Sequence, residues 1–221
     1  MTRFLFCKEG SAVWISHLDL QRMFQRAFNR AGIAIAHTAG FNPHAYVAMA
    51  QPLSVGIESQ CEILDCRLAD ETISPQEAAE RLNHAGFPAG IHILEGYESN
   101  RKLKEIGAIQ ARIGMDYDQA VPQGAAERIQ TLLNGPTLVV PKHSKKKGMV
   151  DTDVRSLLLS AQVAEENPQT LTISARLCAG EPSLNPELLV RAVERYLPAD
   201  APDFYRIRRM EIYDQAGAVF R

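Results

Sequence analysis

Three features of this sequence predict an α+β fold: two tandem ferredoxin-like (split βαβ) units, with antiparallel sheets and helices on one face. Stretches of alternating apolar character and stretches of helical period follow one another in the same order in both halves. Helix-start signals built on Ser16, Ser74 and Asn185-Pro186 fall between these stretches. The segment from Ser99 to Gly107 joins the halves, so the predicted domains are 1–100 and 101–221. The repeat is architectural, without residue-level identity between halves.

Arg3 to Lys8 reads as a short strand. The best helix follows, with Leu20, Met23, Phe24, Ala27, Phe28 and Ala31 forming one apolar stripe. Ser16 can cap it, Asp19 can reach back in a capping box, and Ile15 with Leu20 makes a hydrophobic staple. Gly32 ends it. Strands are expected at 33–37 and 45–49, around a Gly-Phe-Asn-Pro turn, and again at 62–68. Ser74-Pro75-Gln76-Glu77 starts a second helix, with serine as cap and proline at the first helical position. A strand at 91–95 closes the first half. The second half reads as a strand at 111–118, a helix at 123–133, a strand at 138–140 and a short helix at 154–164. The alternation of Leu171, Ile173, Ala175 and Leu177 is a half-buried strand. A helix from Asn185 and a strand at 204–213 complete the chain.

Composition excludes several classes. The chain has 221 residues, 46% hydrophobic and 23% charged, as expected of a folded protein rather than a disordered one. A net charge of -2 argues against bulk polyanion binding but leaves room for a local basic patch. No apolar run approaches the roughly 20 residues of a membrane helix, and the start is too soon interrupted by Lys8 and Glu9 for a signal peptide. A cytoplasmic protein without membrane contact is expected. Cys7, Cys61, Cys66 and Cys178 form neither a CxxC pair nor an iron-sulfur spacing, and no dinucleotide, Walker, HExxH or GxSxG motif is present. No cofactor is expected in this chain.

The candidate site residues concentrate early. His17, Asp19 and His44 are the candidates for catalysis, since imidazole and carboxylate can move protons near neutrality. Asp19 equally suits a helix cap beside the positive end of the helix dipole. Thr38, Asn42 and His44 lie in a turn-rich loop and are candidates for substrate binding, because a turn needs Gly40, Asn42 and Pro43 but needs no imidazole. Arg22, Arg26 and Arg30 recur every four residues on one helix face, without an interleaved acid, and could grip phosphates or simply be solvated. Lys142, Lys145, Lys146 and Lys147 form the densest positive run, a candidate nucleic-acid contact. Asp151 and Asp153 follow it, with Asp153 read as a helix cap. Arg206, Arg208 and Arg209 add charge to the last strand. No metal site is expected.

Ser16-His17-Leu18-Asp19, Arg26-Ala27, Ala31-Gly32, the stretch from Thr38 to His44 and the stretch from Pro52 to Ser59 resemble the bacterial radical SAM-linked protein family. Lys145 to Gly148 and Asp151 to Arg155 match it more loosely. This family is a domain of unknown function found beside, or fused to, cobalamin-binding radical SAM proteins. The resemblance implies a radical SAM protein as partner and an RNA or ribosomal context, and it brings no established reaction and no proven catalytic residue. Three readings stand at this point. The chain is an accessory or substrate-presenting partner of a radical SAM enzyme in an RNA- or ribosome-related pathway. Alternatively it is an RNA-modifying enzyme with a pseudouridine-synthase-like architecture, although no Arg-Thr-Asp occurs and Asp19 or Asp151 would have to serve. The last reading is a pure interaction module.

Overall fold

The computed structural model describes residues 1–39, 41, 43–144 and 148–221. These residues form a mixed α and β protein with four α-helices and antiparallel strand pairing, in two compact units: 1–105 with Arg221, and 106–220.

Unit 1 runs β1 (Thr2–Lys8), α1 (His17–Arg30), β2 (Val47–Met49), β3 (Glu58–Cys66), α2 (Pro75–His84) and β4 (Ile91–Glu98). β1 lies between β4 and β3, and β2 pairs with the C-terminal half of β3. Both helices pack on one face of this sheet. Phe4 and Phe6 of β1 meet Phe28 and Phe24 of α1, the latter pair edge-on at 4.9 Å between ring centroids. Leu64 and Cys66 of β3 and Ala78, Ala79 and Leu82 of α2 complete the same core. Burial pushes the Cys66 thiol up to about 12, which makes it an inert apolar filler. Small residues let α2 approach the sheet: a side chain on Gly96 of β4 would collide with the Pro75 carbonyl.

Both helix starts form as their local sequences dictate. Ser16 Oγ accepts from Asp19 N at 3.3 Å, and Ser74 Oγ accepts from Glu77 N at 3.1 Å. The expected strand at 33–37 is instead a pair of isolated bridges, Ile35 to Leu68 and His37 to Ala45. Exposed Gly32 and Ala34 leave that stretch little apolar surface with which to hold a longer ladder.

Unit 2 contains β5 (Ile106–Asp116), α3 (Ala125–Asn134), β6 (Val139–Ser144), β7 (Gly148–Asp153), β8 (Leu158–Asn167), β9 (Thr170–Cys178), α4 (Glu187–Tyr196) and β10 (Phe204–Asp214). β10, β5, β9 and β8 neighbour one another in that order, and β6 and β7 form a separate two-stranded hairpin. Leaving that hairpin aside, each unit repeats strand, helix, strand, strand, helix, strand, with the fourth, first, third and second strands side by side. The odd-numbered residues Ile113, Met115, Leu171, Ile173, Ala175 and Leu177 are fully buried, as are Ile129 and Leu133 of α3 and Leu189 and Val193 of α4.

The helix expected at 154–164 does not form. Arg155–Leu157 makes a single 3-10 turn, and the chain then extends as β8. Nine residues of β9 are available to pair with it, Val163 opposite Ile173 and Ala161 opposite Ala175. That long-range ladder overrides the helical preference of a segment rich in Leu, Ala and Glu. Asp153 accordingly caps no α-helix; its Oδ1 accepts from Leu138 N at 2.8 Å and Arg155 N at 3.0 Å.

The outer strand of each unit is closed by a carboxamide. Asn83 of α2 donates to Ile93 O at 2.9 Å and accepts from Ile93 N at 3.0 Å on β4. Gln130 of α3 donates to Ala161 O at 3.0 Å and accepts from Val163 N at 2.8 Å on β8. Each side chain imitates the missing neighbour strand.

Candidate functional site

The start of α1 is a capped and ion-paired helix end. Ser16 Oγ also donates to Asp19 Oδ2 at 2.7 Å, and Arg22 donates to Asp19 Oδ1 at 3.3 Å. The Ser16 hydroxyl first, then Arg22 and Arg26, hold the Asp19 carboxyl below the ordinary carboxylate range. Asp19 is therefore an ionised cap, exposed to solvent, and it supplies Arg22 with the acidic partner that the arginine spacing alone does not show. Arg30 is also engaged: Nε donates to Ala85 O at 3.1 Å and a terminal nitrogen to Gly86 O at 2.6 Å. These bonds satisfy carbonyls past the end of α2. Arg26 is exposed on the same helix, and His17 is half-buried at its first position.

Thr38 and His44 come together as the neck of a loop. Thr38 N donates to His44 O at 2.8 Å, His44 N donates to Thr38 Oγ1 at 3.2 Å, and the same hydroxyl lies 3.1 Å from His44 Nδ1. Phe41 stands fully exposed beyond this neck, while Gly40 and Asn42 lie outside the described residues. The loop is anchored where Ala36 N meets Arg67 O, past the Cys66 end of β3, which pairs with Thr2. α1 begins past the other end of β1, where Lys8 pairs with Ser59 and Gly56 N donates to Val13 O. The two stretches are thus anchored at opposite ends of the sheet. His17 makes no hydrogen bond to Thr38 or His44 among the described residues, so the early candidates fall in two separate places.

The start of α1 carries a feature that the sequence reading missed. Trp14, Leu18 and Val55 are 72%, 62% and 52% exposed, and the Trp14 ring lies against Gly56 at the turn before β3. Three large apolar side chains are thus exposed near the start of α1. The signal was available, because Trp14 is the chain's single tryptophan.

In unit 2, Lys142 reaches Ser183 O at 3.3 Å, and Lys145, Lys146 and Lys147 lie outside the described residues. Asp151 is held by Arg195 through bonds of 2.7 and 2.9 Å, which keep its carboxyl below the usual range. Arg206 and Arg208 share one face of β10, whereas Arg209 is buried on the other. Among the described residues, no group of three or more His, Cys, Asp or Glu could hold a metal ion. No helix of the described residues is long and apolar enough to cross a membrane. A cleft of about 520 Å³ in unit 1 is lined by Thr2, Arg67, Asp70, Thr72, Ser74 and Glu98 among others, and by none of the candidate catalytic or binding residues.

These observations define an α+β protein of two antiparallel units with exposed apolar and basic surfaces and no metal cluster among its described residues. The chain belongs to the family described as uncharacterized protein conserved in bacteria (DUF2344), which matches residues 2–186. No curated protein matches it. Its fold is shared with a chain in the crystal structure of a Cbf5-Nop10-Gar1 complex, at a TM-score of 0.57 and 8% identity, over 96% of this chain. This protein spans 48% of that chain's length. A second similar structure, an unknown protein from Galdieria sulphuraria, aligns over 94% of this chain and 96% of its own, with 9% identity and a TM-score of 0.26.

Proposed function

We propose that this protein is an accessory, substrate-presenting partner of a radical SAM enzyme in an RNA- or ribosome-related pathway of the cytoplasm. The observation that carries this reading is the exposed apolar group of Trp14, Leu18 and Val55 at the start of α1. A tryptophan left mostly in water is a typical anchor for a protein partner. In this reading His17 lies at the docking end. Thr38, Asn42 and His44 present the substrate, and Arg22, Arg26, Arg30, Lys142, Lys145, Lys146 and Lys147 contact phosphate. The shared strand order of the two units supports describing both as ferredoxin-like, with a division near residue 100. The chemistry and its cofactors belong to the partner.

The test is binding to a cobalamin-binding radical SAM protein, measured by biolayer interferometry. Trp14→Asp with Leu18→Asp should weaken binding by at least about tenfold and leave the melting curve unchanged. Undiminished binding would remove this surface from the proposal. No binding by the unsubstituted protein would remove the partner.

The alternative is an RNA-modifying enzyme in its own right, of pseudouridine-synthase-like architecture. The fold shared with a chain of the Cbf5-Nop10-Gar1 complex favours it. Its difficulty is that Asp19 and Asp151, the carboxylates that would have to serve, are both exposed and tied to arginines. Modified nucleosides in RNA incubated with the purified chain alone would decide for this alternative.

A further inference from the structure

In the middle of the unit 2 sheet, the even-numbered residues from 110 to 116 on β5, 170 to 176 on β9 and 204 to 208 on β10 form a largely polar face opposite the apolar side that packs in the core. Strand register places them in rows. Arg206, Gly114, Thr172 and Ala164 make one row across β10, β5, β9 and β8, and Arg208, Arg112, Ser174 and Gln162 make the next. Three features of this face are unexpected for a merely solvated sheet surface.

Gly114 leaves a gap in the layer of side chains. A Cβ built there would meet nothing within 4 Å, so neither packing nor chain geometry requires glycine. Glycine weakens a central strand, and it is expected where something outside the fold must approach the backbone. Arg112 and Arg208 stand directly opposite each other, and like charges in that position oppose strand pairing. A cleft of about 480 Å³ opens beside them, lined by Gln110, Arg112, Glu166, Thr172, Ser174 and Met210 among others.

The carboxylates on this face orient the arginines. Glu166 holds Arg112 at 2.7 Å and accepts from Thr172 at 2.6 Å, and these two bonds keep it ionised. Asp116 holds Arg206 at 3.0 Å. Each of these arginines uses one terminal nitrogen in its ion pair, and its other donors have no partner among the described residues. Both side chains stay open to solvent, 47% and 69% exposed. Around the gap, Arg112, Arg206 and Arg208 outnumber Asp116 and Glu166; Glu211 stands a row further on, opposite Gln110.

From this arrangement we infer that the polar face of the unit 2 sheet binds single-stranded RNA, with a base lying over Gly114 and phosphates held by Arg112 and Arg206. A flat opening edged by guanidinium groups suits an unstacked base, which can lie on the peptide plane and against an arginine. The Ser174 hydroxyl and the Gln110 amide share this face and would meet base edges and the 2′-hydroxyl. Exposed Phe204 continues the face along β10 as a second stacking surface. Eleven residues of β5 span roughly 35 Å, room for several nucleotides. This site uses none of the α1 or lysine-run residues assigned to phosphate above, and it needs no partner protein.

The experiment is fluorescence anisotropy of the full chain with a labelled single-stranded RNA of about 12 nucleotides, repeated over a range of salt. Arg112→Gln with Arg206→Gln should weaken binding at least about tenfold and lower the salt slope by about 1.4. Gly114→Val should weaken binding severalfold with the slope unchanged. Because a Cβ there meets nothing within 4 Å and valine favours a strand, this variant should melt no earlier than the parent. Binding unchanged in the double variant would overturn the inference. So would equal affinity for a duplex of the same sequence, equal competition by polyglutamate, or a loss seen only with Arg22→Gln and Arg26→Gln.

Discussion

Arg3 is among the largest fully buried side chains of the described residues, and the fold surrounds its guanidinium with acceptors. Two bonds of 2.6 and 2.9 Å reach Asp65, one of 3.0 Å reaches Ser99 Oγ, and one of 2.9 Å reaches Arg101 O. The gain of such a pair is offset by desolvation, but a single buried charge left behind is costly. Asp65→Ala should therefore cost about 3–5 kcal/mol, seen as a lower urea midpoint. Arg3→Met combined with Asp65→Leu should recover most of that loss. A double variant as unstable as the single one would show that the carboxylate has a role beyond pairing Arg3. Nothing in the sequence joins Arg3 to a residue 62 positions away. The Ser16 cap was legible, because its acceptor and donor are three residues apart and need only a helix. The same locality explains why His17 and His44 could be marked as polar and placed in a helix start and a loop, yet not placed relative to each other.

At the level of the element, the paired carboxamides matter most. β4 and β8 end their sheets, and Asn83 and Gln130 occupy backbone groups that would otherwise template a foreign strand. Gln130→Leu removes both bonds to β8 and should cost about 1–3 kcal/mol. It should also produce association that grows with protein concentration in light scattering, with Asn83→Leu acting in the same way on β4. Variants that stay monomeric at every concentration would show that the edges are protected by other means. β8 is also the element that sequence periodicity misassigned. Its register with β9 is a property of two segments, whereas a helical pattern is read from one. The helices α1 and α2 were read correctly, with caps and apolar stripes coinciding within a single segment.

Across the whole molecule, the family match ends at Pro186, while unit 2 continues to residue 220. The remaining segment is structurally essential. It supplies Leu189, Val190 and Val193 of α4 to the core, and β10 pairs with β5 along ten register positions. A chain truncated after Pro186 would bare one whole edge of β5 and the apolar side beneath α4. It should lose cooperative melting of unit 2 and amide protection along β5 in hydrogen exchange. Retention of that protection would show that the conserved segment folds without its last helix and strand.

The sequence by itself determined what depends on neighbours along the chain: the helix starts, the apolar stripes, the turn-rich loop and the alternation of β9. Tertiary structure alone decided which of those features meet. It tied Asp19 to Arg22 and Arg30 to the end of α2, held Trp14 out into solvent, and opened a gap at Gly114 between arginines from two strands. Those outcomes are set by strand register and by packing between distant segments, and a one-dimensional pattern carries no term for either.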